Sequence, residues 1–178
     1  MRLAGIDFAW VPESNGTAIA IGRLSEKGLC ADTIFEQLYG MDSILSALDA
    51  YPDLQGIAID ASLVINNQTG QRLAEREVSR DYGAKRAGCH ATNLTLYPAP
   101  ASVELAKQLD YRGFCYFGQS EQERSFIECY PHPAIILKNA VDFGALLSPP
   151  QAKVGGFIGG RWKKCPLVKL ATATDRLR

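Results

Sequence analysis

The chain lacks most of the short signatures that assign a function on sight. No apolar run approaches the roughly 18–20 residues that a membrane-crossing helix needs. The first ten residues, MRLAGIDFAW, break their apolar stretch at Asp7 and so do not form the hydrophobic segment of a signal peptide. There is no G-x-x-x-x-G-K-[ST] loop and no G-x-G-x-x-G following a strand, which removes the common phosphate cradles. G-x-S-x-G is absent, and with it the serine-hydrolase elbow. The five cysteines are odd in number and contain no C-x-x-C, a poor disulfide framework that suits a reducing cytoplasm. Without a secretory route, the acceptor patterns Asn67-Gln68-Thr69 and Asn93-Leu94-Thr95 carry no glycosylation meaning. Internal repeats and low-complexity segments are also missing.

What is present is one ordinary domain's worth of chain: 178 residues, 47% hydrophobic and 21% charged, enough to bury a core. Nineteen basic side chains balance nineteen acidic ones, which argues against a broad nucleic-acid footprint. The balance hides an asymmetry. Residues 1–152 carry 12 basic and 18 acidic groups, whereas residues 153–178 carry seven basic groups and only Asp175. The last stretch is therefore either a solvated terminus or a surface for phosphates.

Hydrophobic patterning gives the element order. Strands are expected over 3–9, 17–24 and 29–36, with hairpin turn signals between them, so these three should be antiparallel neighbours. A helix over 42–50, capped by Asp42 and stopped at Pro52, leads to an apolar strand over 56–61. Such a connection favours a parallel crossover, and the apolar strand a central place covered on both faces. Further helices are expected over 70–82, with Thr69 as cap, and over 102–110, started by Ser102. A fifth strand over 125–130 and a helix over 133–147 follow. The order predicts an α/β fold of RNase H-like type, a five-stranded mixed sheet flanked by helices. The domain is expected over 1–147, and 148–178 forms a basic C-terminal segment.

That order places three carboxylates on neighbouring strands. Asp7, Asp60 and Glu128 each interrupt or end an otherwise apolar strand. A carboxylate there costs several kcal/mol unless partnered. One shared partner for converging carboxylates is a hard divalent cation, Mg²⁺ or Mn²⁺. The bland alternative is that backbone N–H groups or an arginine satisfy each acid separately. Two such ions roughly 3.5–4 Å apart would support phosphodiester hydrolysis.

Four motifs carry a resemblance: Gly5-Ile6-Asp7, Ile59-Asp60-Ala61-Ser62-Leu63, Gly70-Gln71-Arg72-Leu73-Ala74-Glu75 with Gly83, and Glu128-Cys129-Tyr130-Pro131-His132-Pro133-Ala134. In this order they resemble the domain of unknown function 429 family, whose members are regarded as RNase H-like nucleases. The resemblance spans residues 3 to about 140. It implies metal-dependent nucleic-acid hydrolysis, with Asp7 and Asp60 in the family's acidic strand positions, Arg72 and Glu75 in its helix motif and Glu128 in its E-x-x-P motif. With the strand reading, Asp7, Asp60 and Glu128 are the expected catalytic and metal-holding acids, and Arg72 and Glu75 the residues expected to face the site and substrate. Family members run longer and end in a basic helix, so the resemblance implies a shortened form of it in 148–178.

Several side chains remain as candidates beside that core. Arg72, Arg76 and Arg80 fall at i, i+4 and i+8, either a phosphate-contacting stripe or a solvated face balanced by Glu75, Glu77 and Asp81. His132 is a candidate to accept the water's proton, or a structural cap. Trp10 is a candidate to stack on a base, or a rim packing residue. Cys89, His90, Cys129 and His132 are a weaker zinc set, because their spacings fit no common module. The sequence thus predicts a cytoplasmic, Mg²⁺- or Mn²⁺-dependent phosphodiester hydrolase without a membrane partner. Its substrate would be nucleic acid or a phosphorylated small molecule. The alternatives are a non-catalytic binding module on the same fold and a phosphate-ester hydrolase acting on a small metabolite.

Overall fold

The computed structural model describes residues 1–118 and 123–140. The described residues divide into two compact units, 1–72 with 91–118 and 123–129, and 73–90 with 130–140. The basic segment 148–178 and the end of the helix expected over 133–147 lie outside the described residues.

The first unit is a sheet covered by helices. Its strands are β1 (Arg2–Asp7), β2 (Thr17–Ser25), β3 (Gly28–Leu38), β4 (Leu54–Asp60), β5 (Cys115–Tyr116) and β6 (Ser125–Glu128). Their order across the sheet is β3-β2-β1-β4-β6-β5. β1, β2 and β3 pair antiparallel, while β4 runs parallel to β1 and β6 parallel to β4. This is the expected mixed α/β sheet with one strand more than the five predicted. The extra strand, β5, is two residues long, too short to leave a periodic signal.

Two helices belong to this unit, α1 (Met41–Asp49) between β3 and β4, and α3 (Ala101–Tyr111) before β5. α1 buries Ile44, Leu45, Ala47 and Leu48, one stripe of a 3.6-residue period. They pack with Leu105 and Leu109 of α3 on Ala4, Ile6, Ile19, Ile21, Ile57, Ile59 and Phe126 of the sheet. Each such side chain contributes about 1.5–3 kcal/mol on full burial. Two expected caps are corrected. Gly40, at φ 76°, occupies the N-cap of α1 and leaves Asp42 in the first turn. Ser102 lies inside α3, where its hydroxyl donates to the Ser62 carbonyl at 2.6 Å.

The opposite face of the sheet carries small residues: Gly5 of β1, Ala20 and Gly22 of β2, Gly56 and Ala58 of β4. Among the described residues Gly56 and Ala58 on this face are half-buried, while Ile57 and Ile59 on the other are fully buried.

The second unit contains α2 (Leu73–Tyr82), a 3₁₀ turn at Gly83–Lys85 and α4 (His132–Ala140). α2 begins three residues later than expected, beyond the reach of Thr69 as a cap. Ala74 and Val78 form its apolar cluster with Tyr82, Cys89 and Tyr130. The turn after α2 is closed by Ser79, whose hydroxyl accepts the Cys89 N–H at 2.9 Å. No helix among the described residues is long and apolar enough to cross a membrane.

Close packing between β2 and β3 gives a direct test. A Cβ on Gly22 would meet the Cys30 carbonyl oxygen at 2.6 Å, whereas one on Gly5 meets nothing within 4 Å. Gly22→Ala is therefore expected to lower the unfolding free energy by about 1–3 kcal/mol in a urea titration. Gly5→Ala should stay within about 0.5 kcal/mol of the parent.

Candidate functional site

Strand register decides which of the three acids meet. Asp7, the last residue of β1, is paired with Asp60, the last residue of β4. Side chains at paired positions of neighbouring strands project from the same face, so the two carboxylates stand side by side. They share that face with Gly5 and Ala58, away from the apolar core. Asp7 is exposed and Asp60 half-buried. Glu128 is paired with Ile59 rather than with Asp60. It therefore projects from the core side of the sheet, in step with Phe126, and is only 5% exposed.

The expected cluster of three carboxylates is thus corrected to a pair and a separate acid. Glu128 has its own partner in Arg72, held through both terminal nitrogens at 2.6 Å to Oε1 and 3.0 Å to Oε2. The Leu63 N–H donates to Glu128 Oε2 at 2.9 Å. The same guanidinium donates to the Ser62 hydroxyl at 2.6 Å and the Val64 carbonyl at 3.0 Å. Ser62 also receives the Thr92 hydroxyl at 3.2 Å. A buried carboxylate with a bidentate arginine and a backbone N–H is well satisfied, and here it fixes the loop that leaves Asp60.

This placement corrects the arginine stripe. Arg72 precedes α2 and is turned onto Glu128, so it does not continue a helical row with Arg76 and Arg80. Arg76 is exposed on α2, and Arg80 donates to Asp81 at 2.9 Å. Glu75 belongs to the second unit and is buried, 2% exposed. His132 also belongs to the second unit, where its ring stacks on Tyr130 with centroids 4.9 Å apart.

Cys129 follows Glu128 and so returns to the face of Asp60. Its N–H donates to the Ile59 carbonyl at 2.8 Å, which continues the β4–β6 pairing. Burial pushes the Cys129 thiol up to about 12, and the charges of Asp60 and Glu128 add to the shift. At neutral pH the group is a protonated thiol and a poor nucleophile. Burial likewise raises the Tyr116 phenol, with Glu128 adding to the shift and Arg72 opposing it, so Tyr116 stays neutral as well. Among the described residues, no group of three or more His, Cys, Asp or Glu side chains is gathered to hold a metal ion. Asp7 and Asp60 are register partners, whereas Glu128 is held in its own pair with Arg72.

Trp10 lies three residues beyond Asp7, with its ring stacked on Tyr97 at a centroid separation of 4.7 Å. Tyr97 and the anchoring residue Ser62 are absent from the sequence-based candidates. Nothing in local periodicity marks them, because both act through loops that only the fold brings together.

The two kinds of acid should separate cleanly by mutation. Glu128→Gln leaves a buried Arg72 without its countercharge and is expected to cost about 3–5 kcal/mol of stability. Asp7→Asn changes an exposed side chain and should stay within about 0.5 kcal/mol. Guanidinium unfolding of both variants beside the parent checks the contrast, and equal losses would contradict it.

Comparison with known proteins gives one match. The family model described as protein of unknown function (DUF429) matches residues 5–142. No curated protein and no solved structure matches the chain. The matched stretch runs from Gly5 through Asp7, Asp60, Arg72 and Glu128 into α4, and on that ground the chain belongs to the DUF429 family.

Proposed function

We propose that this protein is a divalent-metal-dependent phosphodiester hydrolase of RNase H-like arrangement, acting in the cytoplasm through Asp7 and Asp60. The observation that carries the proposal is the Asp7–Asp60 register pair at the carboxyl ends of adjacent parallel strands. Open α/β sheets bind ligands outside the carboxyl ends of their strands. The antiparallel β1–β3 and parallel β4 and β6 support the same arrangement.

The donor set fits Mg²⁺ or Mn²⁺. Two carboxylates offer hard oxygens from one face, and Mg²⁺ is commonly held by one or two carboxylates, water and substrate phosphates. When bound, such an ion activates water and neutralises charge developing on the phosphate. Asp7 and Asp60 position it, and their carboxylates also repel a phosphate that arrives without a cation. Glu128 and Arg72 act one step removed, by holding Ser62, Leu63 and Val64 so that the chain leaves Asp60 in one direction. Trp10 lies on the loop beyond Asp7, placed to meet substrate. No role in this scheme is given to His132, Glu75 or Arg76.

A second reading, a binding module without turnover, is favoured by the withdrawal of Glu128 into its pair with Arg72. Titration calorimetry with Mn²⁺ and cleavage assays on single-stranded, duplex, hybrid and small phosphodiester substrates test both. The hydrolase predicts Mn²⁺ binding at millimolar concentration and Mn²⁺-dependent cleavage, both lost in Asp7→Asn and Asp60→Asn. Equal cleavage by these variants contradicts the proposal. Binding without cleavage of any substrate establishes the module instead.

A further inference from the structure

The loops beside the acid pair expose more apolar surface than their packing requires. Trp10 is 39% exposed, Val11 52% and Leu96 59%. Trp10 and Val11 come from the loop after β1, and Leu96 and Tyr97 from the irregular stretch before α3. The Trp10 and Tyr97 rings are inclined by 27° with centroids 4.7 Å apart, an offset stack at the surface. Solvent-facing aromatic and aliphatic side chains grouped in this way mark a surface that meets a partner.

Both rings are held by loops with little freedom. On one side, the Ala9 N–H donates to the hydroxyl of the fully buried Thr17 at 3.1 Å. The Pro12 carbonyl accepts the Gly40 N–H at 2.8 Å, so Trp10 sits between two anchored points. On the other side, Asn93 is 3% exposed and organises the turn that carries Tyr97. Its Oδ1 accepts the Leu96 N–H at 2.9 Å, its carbonyl accepts the Tyr97 N–H at 2.9 Å, and its Nδ2 donates to the Gly70 carbonyl at 3.0 Å. Thr95 is tied to the Gln68 carbonyl through both its N–H and its hydroxyl. Rings fixed before binding lose little entropy when a ligand arrives.

We propose that Trp10 and Tyr97 form a platform on which an unpaired nucleobase of the phosphodiester substrate stacks. The inference rests on the hydrolase reading of Asp7 and Asp60 and deepens it by naming the substrate class, a single strand. Trp10 lies three positions beyond Asp7, so their Cα atoms are within about 10 Å of each other. A base stacked on the ring pair therefore leaves its own or an adjoining phosphate near the two carboxylates. The open face of an indole accepts any base, so the platform confers preference for exposed bases rather than for a sequence. In a duplex those faces are covered by neighbouring pairs, and the platform has nothing to stack on.

The test is a fluorescence titration in EDTA of the full chain carrying Asp7→Asn and Asp60→Asn, so that neither hydrolysis nor repulsion of the phosphate by two bare carboxylates intervenes. Trp162→Phe is used as background so that Trp10 is the sole tryptophan. The probes are a short single-stranded oligonucleotide, its duplex, and an abasic strand of the same length. The single strand is expected to quench Trp10, whereas the duplex and the abasic strand do not. Tyr97→Leu is expected to weaken single-strand binding roughly 5- to 100-fold, the range for loss of one stacked base. Equal quenching by the abasic strand overturns the proposal without the need for any variant that might misfold. Unchanged affinity in a folded Tyr97→Leu protein overturns it too. Because binding is read without metal, loss of the hydrolase reading leaves this result standing, and the reverse also holds.

Discussion

The interaction on which the rest depends is the buried pair of Arg72 and Glu128. It draws three segments that are distant in sequence to one point: the end of β6, the loop after β4 and the residue before α2. A buried ion pair is weak evidence for net stability, since desolvation offsets much of its attraction. Its value here is specificity. The guanidinium saturates Glu128 and then spends its remaining hydrogen bonds on Ser62 and Val64, which sets the path of the chain immediately after Asp60. Ser62 in turn receives Thr92 and, through its carbonyl, Ser102, so α3 and the 92–97 turn take their positions from the same point. Through Asn93 that turn carries Tyr97 beneath Trp10.

Sheet register supplies the second constraint. The strict alternation of side chains sorts the acids without any reference to function: Asp7 and Asp60 to one face, Glu128 to the other. The sorting separates chemistry from architecture. On the core face an acid must be neutralised by a fixed partner, and Arg72 is that partner. On the opposite face two acids stand side by side, and the proposed cation is assigned to them. The residues beside them on that face, Gly5 and Ala58, are small.

Much of the fold was legible in the sequence because its signals are local. The hairpin turns gave three antiparallel strands, and the helix stripe of Ile44, Leu45 and Leu48 gave the crossover to β4. The Asp7–Asp60 pair was legible too, since both acids end apolar strands. Glu128 was misplaced because an acid within an apolar strand signals burial without saying toward which face. The parity of Phe126 and Glu128, two residues apart, holds the answer, but only once Phe126 is known to face the core. Arg72 was misassigned for a related reason. Its spacing to Arg76 and Arg80 is helical, yet the helix starts at Leu73, and periodicity cannot locate a boundary set by a long-range ion pair. Tyr97 left no trace at all, being positioned by Asn93 and the loop of Gln68 and Gly70 rather than by a regular element.

Asp7 and Asp60 stand side by side on one face, whereas Glu128 is held by Arg72 on the other, and the proposed function assigns the metal to the first pair alone. Anomalous diffraction from crystals soaked in Mn²⁺ tests it most directly. The predicted result is an ion contacted by Asp7 and Asp60, with Glu128 still paired to Arg72. An ion ligated by Glu128, with Arg72 displaced from it, would contradict the account.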